Sequence, residues 1–241
     1  MVQLTAYTLD TFLAPKMSSF RSADIPDMSG KKTPWLNKFS LNNILRGRYT
    51  GQQVHQYVFN YVHCVEAAHL EYENARTATA DYLKGSRQSI EMYMKALYHW
   101  RAFLGQCGLA LDLHAKLCRM GRPKRGIKGP PEERMYVLYQ TSKHVADRIE
   151  KREYLTPDAT IPIWMEDEGL RSVKCAVTWS ECATVLDELS DIATQLEDPR
   201  TARERIEAAM AAEKAPGPAA PPRFEDPARR GSPASLGAAE S

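Results

Sequence analysis

"YMKALYHWRAFLGQCGLALDLHAKLC", residues 93–118, decides the fold. Tyr93, Leu97, Trp100, Leu104, Cys107, Leu111, His114 and Cys118 recur at alternating steps of four and three. That spacing draws one continuous apolar seam down a long helix, and such a seam requires a partner helix. Gly121 stands where a left-handed C′ residue would end it.

The partner precedes it. Thr50 and Gln53 have the spacing of a capping box, and Val54, Val58, Tyr61, Val65, Ala68 and Tyr72 follow at helical steps. The spacing predicts a helix from about Thr50 to Leu83, stopped by Gly85. After the seam, Pro131 with Glu132 and Glu133 suits the first turn of a third helix. Met135, Leu138, Ser142, Val145 and Ile149 form its seam, with His144 on a second stripe beside Val137, Thr141 and Arg148. The period then changes to two around "EDEG" at 166–169, which predicts a β-hairpin. Thr178 and Glu181 make a second capping box, and Cys182, Val185, Leu186, Leu189, Ile192, Ala193 and Leu196 give a fourth amphipathic helix.

The expected fold is therefore all-α: an up-and-down bundle of four main helices over residues 50–197, with a small β-hairpin between the third and fourth. Residues 1–49 read as an irregular arm with a short helix near "SLNNILRG", draped on the body through Trp35, Phe39, Leu41 and Ile44. A weak helical extension covers 198–214. The tail, 215–241, is rich in proline, alanine, glycine and serine, and too poor in large apolar groups to offset its chain entropy. It is expected to be disordered.

Composition excludes little. Hydrophobic residues are 43%, charged residues 26% and the net charge is +2, so any anionic partner must be attracted by a local cluster. No stretch is apolar enough to cross a bilayer, and the opening segment lacks the basic region of a signal peptide. Five cysteines without a C-x-x-C read as reduced thiols, which points to the cytoplasm. Glu66 and His69 are three apart on one helix, but no second Glu-x-x-His completes a di-iron set, so no metal or other cofactor is expected. His114, on a seam of leucines and cysteines, reads as a core histidine. No nucleophile elbow and no glycine-rich phosphate loop are present.

The local charge lies at the end of the seam. Lys116, Arg119, Arg122, Lys124, Arg125 and Lys128 crowd together with no acid between Asp112 and Glu132. Such a run suits the phosphates of RNA or an acidic protein surface, although no aromatic residue interleaves it for base stacking. The phosphate-binding candidates are Arg119, Arg122, Lys124, Arg125 and Lys128. A continuous helix from Pro131 to His144 would hold the run about 20 Å from His144, too far to share one phosphate.

"YQTSKHVADRI", followed by "IPIWMEDEGL" and "WSECATVLDELSDIA", resembles the C-terminal half of HEPN-like helical domains. The resemblance spans roughly 50–197, and its specific part is one short motif of arginine, a polar residue and histidine. Gln140 takes the polar place and His144 the histidine place, while Tyr139 stands where the arginine belongs. The resemblance implies a helical bundle, often dimeric. Many members are metal-independent ribonucleases, and others bind nucleotides or partners without cutting. His144, Gln140 and Arg148 are the residues it nominates for catalysis, with Arg148 or Arg134 as substitutes for the missing cation. A tyrosine cannot supply that charge, so the expected function is a non-catalytic HEPN-like interaction or ligand-binding module. A ribonuclease using His144 and a structural adaptor are the alternatives. The length of the Tyr93–Cys118 seam, with the family comparison, also predicts a homodimer.

Overall fold

A computed structural model describes residues 6–46, 51–84, 89–119, 123–151 and 160–214, apart from the side chains of Ala6, Tyr7, Arg148, Ala209 and residues 212–214. The elements follow in the order α1 (Ala6–Phe12), α2 (Trp35–Leu45), α3 (Gln52–Lys84), α4 (Ile90–Leu117), α5 (Pro131–Lys143) and α6 (Val145–Glu150). Then come β1 (Trp164–Glu166), β2 (Gly169–Arg171), β3 (Ala176–Thr178), α7 (Trp179–Leu196) and α8 (Pro199–Lys214). Two 3-10 turns, Met17–Ser19 and Ser29–Lys31, lie between α1 and α2. Thr50, Gly85, Gly121, Arg122 and the tail from 215 onward lie outside the described residues.

The predicted seams pair α3 with α4. Tyr82 meets Tyr93, Tyr72 meets Phe103, and Tyr61 meets His114, at ring separations of 5.5, 5.4 and 5.9 Å. One series of numbers falls as the other rises, so the two helices run antiparallel. Trp100 is fully buried between them, its indole N–H donating to Thr79 Oγ1 at 3.0 Å. α7 closes the bundle with Cys182, Leu186, Leu189, Ala193 and Leu196 buried. Its predicted capping box is present in both directions: the Glu181 N–H donates to Thr178 Oγ1, and the Thr178 N–H to the Glu181 carboxylate. Tyr93, Leu97, Trp100, Leu104 and Cys107 are thus covered within one chain. Leu111 and His114, further along the same seam, are half-buried.

The hairpin forms with Glu166 opposite Gly169, so Asp167 and Glu168 make a two-residue turn. The second period-two run adds a strand: β3 pairs antiparallel with β2, giving a three-stranded sheet in the order β1-β2-β3. Tyr93 ties the sheet to α4, its hydroxyl accepting the Met165 N–H at 2.9 Å. α8, the predicted extension, packs on α7 with Ala202 buried.

The arm is part of the core. Ala14, Met17, Phe20, Met28, Trp35 and Phe39 are buried. Asp167 accepts the N–H groups of Arg21 and Ser22, Tyr72 donates to the Pro26 carbonyl, and Trp35 donates to Thr194. Leu41 and Ile44 do not share in this; they are 57% and 78% exposed. α2 rests on α3 through one face only, and both residues lie on the other. Glu66, three residues before His69, accepts the Leu36 N–H at the start of α2 at 3.1 Å. It caps a helix rather than helping to build a metal site. Among the described residues no helix is long and apolar enough to cross a membrane, and all five cysteines are buried free thiols.

Two imidazoles, one buried and one half-buried, make the fold sensitive to acid. His69, 1% exposed, lies against Trp35 and hydrogen-bonds Ser190 at 2.8 Å. Burial, reinforced by Lys32, pulls it down to about 4, and burial with Arg205 pulls His114 down to about 4. An unfolded imidazole titrates near 6.5, so between about pH 6.5 and pH 4 the unfolded chain binds protons that the folded chain refuses. Stability is held above that window and lost as the pH falls through it, by about 3 kcal/mol per histidine. Urea unfolding should therefore show a marked drop from pH 7 to pH 4.5, and His69→Gln should flatten it. Parallel profiles for the two proteins would refute the assignment to His69.

Candidate functional site

The C-terminal half of α4 and the inner stripe of α5 face each other across a cavity of about 720 Å³. Leu109, Asp112, Leu113 and Lys116 come from α4 at helical spacing, and Tyr136, Gln140 and Lys143 from α5 at the same spacing. Asn60 and Cys64 of α3 contribute at one side, and Pro123, Arg125 and His144 also line it. Burial pushes the Cys64 thiol up to about 11, so it presents a neutral S–H.

The basic loop folds back to reach this cavity. α4 ends at Leu117, and Arg119 takes the left-handed conformation (φ 55°) with its N–H on the Lys116 carbonyl. Arg119 thus fills the helix-ending role that the sequence suggested for Gly121. Further on, a turn closed by the Gly129 N–H on the Gly126 carbonyl leads into α5, and Arg134 Nε holds the Gly129 carbonyl at 3.0 Å. The result lays Arg125 along α5. Its guanidinium donates to Gln140 Oε1 at 3.4 Å and stands 5.8 Å from the Tyr136 ring. Arg125 thus reaches the cavity that His144 also lines, which a separation measured along the helix alone does not foresee. The fold also brings an aromatic ring to the charges, which the sequence order lacks.

His144 departs from expectation in its backbone. At φ −108°, ψ 44° it closes α5, its N–H on the Gln140 carbonyl, and opens α6. It lines the cavity with Gln140 and Lys143, which Val137 and Thr141 do not. Its Nδ1 lies 3.5 Å from the Asp147 carboxylate. Gln140 is 5% exposed. Arg148 lies in α6, but its side chain is outside the described residues.

Of the phosphate-binding candidates, Arg125 lines the cavity. Arg119, Lys124 and Lys128 are exposed and do not line it, and Arg122 is outside the described residues. Lys116 and Lys143 join Arg125 instead. Lys143 was not among the sequence candidates, although Tyr136, Gln140 and Lys143 share one helical stripe and that spacing was readable. Asp112 was also missed: it accepts the Tyr136 hydroxyl at 2.6 Å. Burial, then this bond, pushes the phenol up to about 12, so it remains a donor.

One proposed substitute for the motif arginine, Arg134, is engaged elsewhere. Arg134 holds the Ala176 carbonyl at 2.5 Å and the Glu181 carboxylate, pinning α5 to β3 and α7. Tyr139, 6% exposed, lies on Gly108 of α4, and a Cβ at Gly108 would fall 2.3 Å from its ring. Among the described residues no group of three or more His, Cys, Asp or Glu is gathered to hold a metal ion. Comparison of the chain with protein-family models, curated proteins and solved structures returns no match.

Gly108 and Tyr139 give a direct test of the α4–α5 contact. Gly108→Ala should lower the unfolding free energy by about 1–3 kcal/mol, since neither ring nor backbone can easily retreat. The same change in a Tyr139→Leu background should cost clearly less. Equal costs in urea titrations would show that the ring does not set this spacing.

Proposed function

We propose that the protein is a non-catalytic, HEPN-like ligand-binding module whose cavity takes a nucleotide unit of single-stranded RNA. The observation that carries the reading is the folded-back loop: Arg125, Lys116, Lys143 and His144 line one cavity although the sequence separates them. Cations gathered at one concavity attract phosphate, and a site of this volume suits a nucleotide-sized group. Leu109, Leu113 and Tyr136 add an apolar wall, which suits an unpaired base more than a duplex backbone.

The absence of turnover rests on Tyr139. The family's transition-state cation would stand there, and a tyrosine packed on Gly108 supplies none. A ribonuclease reading has one observation in its favour, the carboxylate of Asp147 beside His144 Nδ1. Such a pair fixes the tautomer that leaves Nε2 to carry a proton. The chain has no arginine at the motif position; the Lys143 ammonium, which donates to the Tyr139 hydroxyl at 3.2 Å, stands there instead.

Fluorescence anisotropy with a labelled single-stranded RNA tests the binding. The wild type should bind with a salt-dependent affinity, and Arg125→Gln with Lys143→Gln should weaken binding and lower the log–log salt slope by about 1.4 units. An unchanged slope, or preferential binding of an acidic peptide, would overturn the RNA reading. In EDTA, wild type and His144→Ala should both leave the RNA intact. Wild-type cleavage lost in the mutant would establish the enzyme instead.

A further inference from the structure

The cavity contains a group that phosphate attraction does not explain. Asp112 is the one acid among the described residues lining it, and it stands one helical turn from Lys116. At that spacing the two would form an ordinary i, i+4 ion pair, yet among the described residues Asp112 pairs with neither Lys116 nor Arg125. Its Oδ1 is held by the Tyr136 hydroxyl at 2.6 Å, and nothing described bonds Oδ2. A carboxylate fixed through one oxygen, with the other left at a cavity wall, repels a phosphate and suits a hydroxyl donor.

The order of groups along α4 says where that donor lies on a ligand. Lys116, then Asp112, then Leu109 follow one face, with rises of about 6 Å and about 4.5 Å between them. Cation, acceptor and apolar surface therefore follow in the order of phosphate, ribose and base in one nucleotide. Resting on the RNA reading, we propose that Asp112 accepts the ribose 2′-hydroxyl through Oδ2 and makes the cavity selective for RNA over DNA. Tyr136 is the positioning residue: its hydroxyl holds Asp112, and its ring meets the Arg125 guanidinium at 5.8 Å. The 2′-hydroxyl is the group by which a protein distinguishes the two nucleic acids, and a carboxylate acceptor strengthens the bond it makes.

The probes are three short labelled oligouridines: ribo, 2′-deoxy, and 2′-O-methyl, which keeps the oxygen but lacks the proton. The full-length wild type should bind the ribo strand about tenfold more tightly than either of the others. Asp112→Asn retains an oxygen for Tyr136 and should reduce that preference to under about threefold while leaving binding of the deoxy strand the same or tighter, since a negative charge is lost. Equal binding of ribo and deoxy strands by the wild type would overturn this inference and leave the RNA reading intact. So would an undiminished preference in Asp112→Asn, provided its unfolding profile matches the wild type. Failure to bind any of the three strands would overturn the RNA reading, and this inference with it.

Discussion

The burial of Trp100 is the constraint on which the rest of the structure depends. Its indole donates to Thr79 on α3, packs edge-on to Tyr72 and Phe103, and lies 4.8 Å from the Trp179 ring at the start of α7. A buried indole N–H without an acceptor would cost about as much as several apolar contacts contribute. Thr79 answers it while its own hydroxyl donates to the Ala75 carbonyl. One side chain thus fixes the register of α3 against α4 and the point where α7 begins. Trp179 directly follows β3, so the sheet is placed by the same contact.

From that register the cavity follows mechanically. Gly108 is two turns beyond Trp100, and it is the place where α4 has no side chain to keep a ring away. Tyr139 fills the space, which sets the rotation of α5 about its own axis. With Tyr139 against α4, Tyr136, Gln140 and Lys143 turn toward the last turns of α4. Arg134, at the other end of α5, locks the rotation by its bonds to Ala176 and Glu181. Gln140 then offers a nearly buried acceptor, and Arg125 finds it. The loop folds back because its guanidinium has both a carbonyl oxygen and an aromatic face to meet.

The sequence disclosed what is periodic or local. The long helices, the α7 capping box and the hairpin turn all depend on neighbours in the chain, and each was readable from spacing. The third strand was implied by alternating residues at 173–179, but strand pairing is a tertiary fact. The break at His144 carries no glycine or proline to announce it. The arm misled in part, since Leu41 and Ile44 look as apolar as Trp35 and Phe39, and only packing decides which face is covered. The site was legible as a cluster of cations and a histidine. That they share a cavity was not, because the path of a loop is set by the surfaces it meets. Asp112 was passed over because a lone acid on a helix reads as a solvated face until its phenol partner is known.

Tyr139 joins the architecture to the chemistry. In an HEPN-like nuclease the corresponding side chain would be a cation presented to a phosphate, and it could not also serve as packing between helices. Here that position carries a ring buried against Gly108, while the nearest guanidinium in the cavity, Arg125, comes from an exposed loop through a 3.4 Å contact. A loop-borne cation can attract an anion, and long-range attraction asks little of its geometry. Stabilising a transition state asks much more: the charge must already stand where negative charge will develop, with no reorganisation left to make. The contact that sets the rotation of α5 therefore also keeps a guanidinium from standing at position 139. On that argument, the proposed separation of recognition from turnover would rest on a single residue, Tyr139.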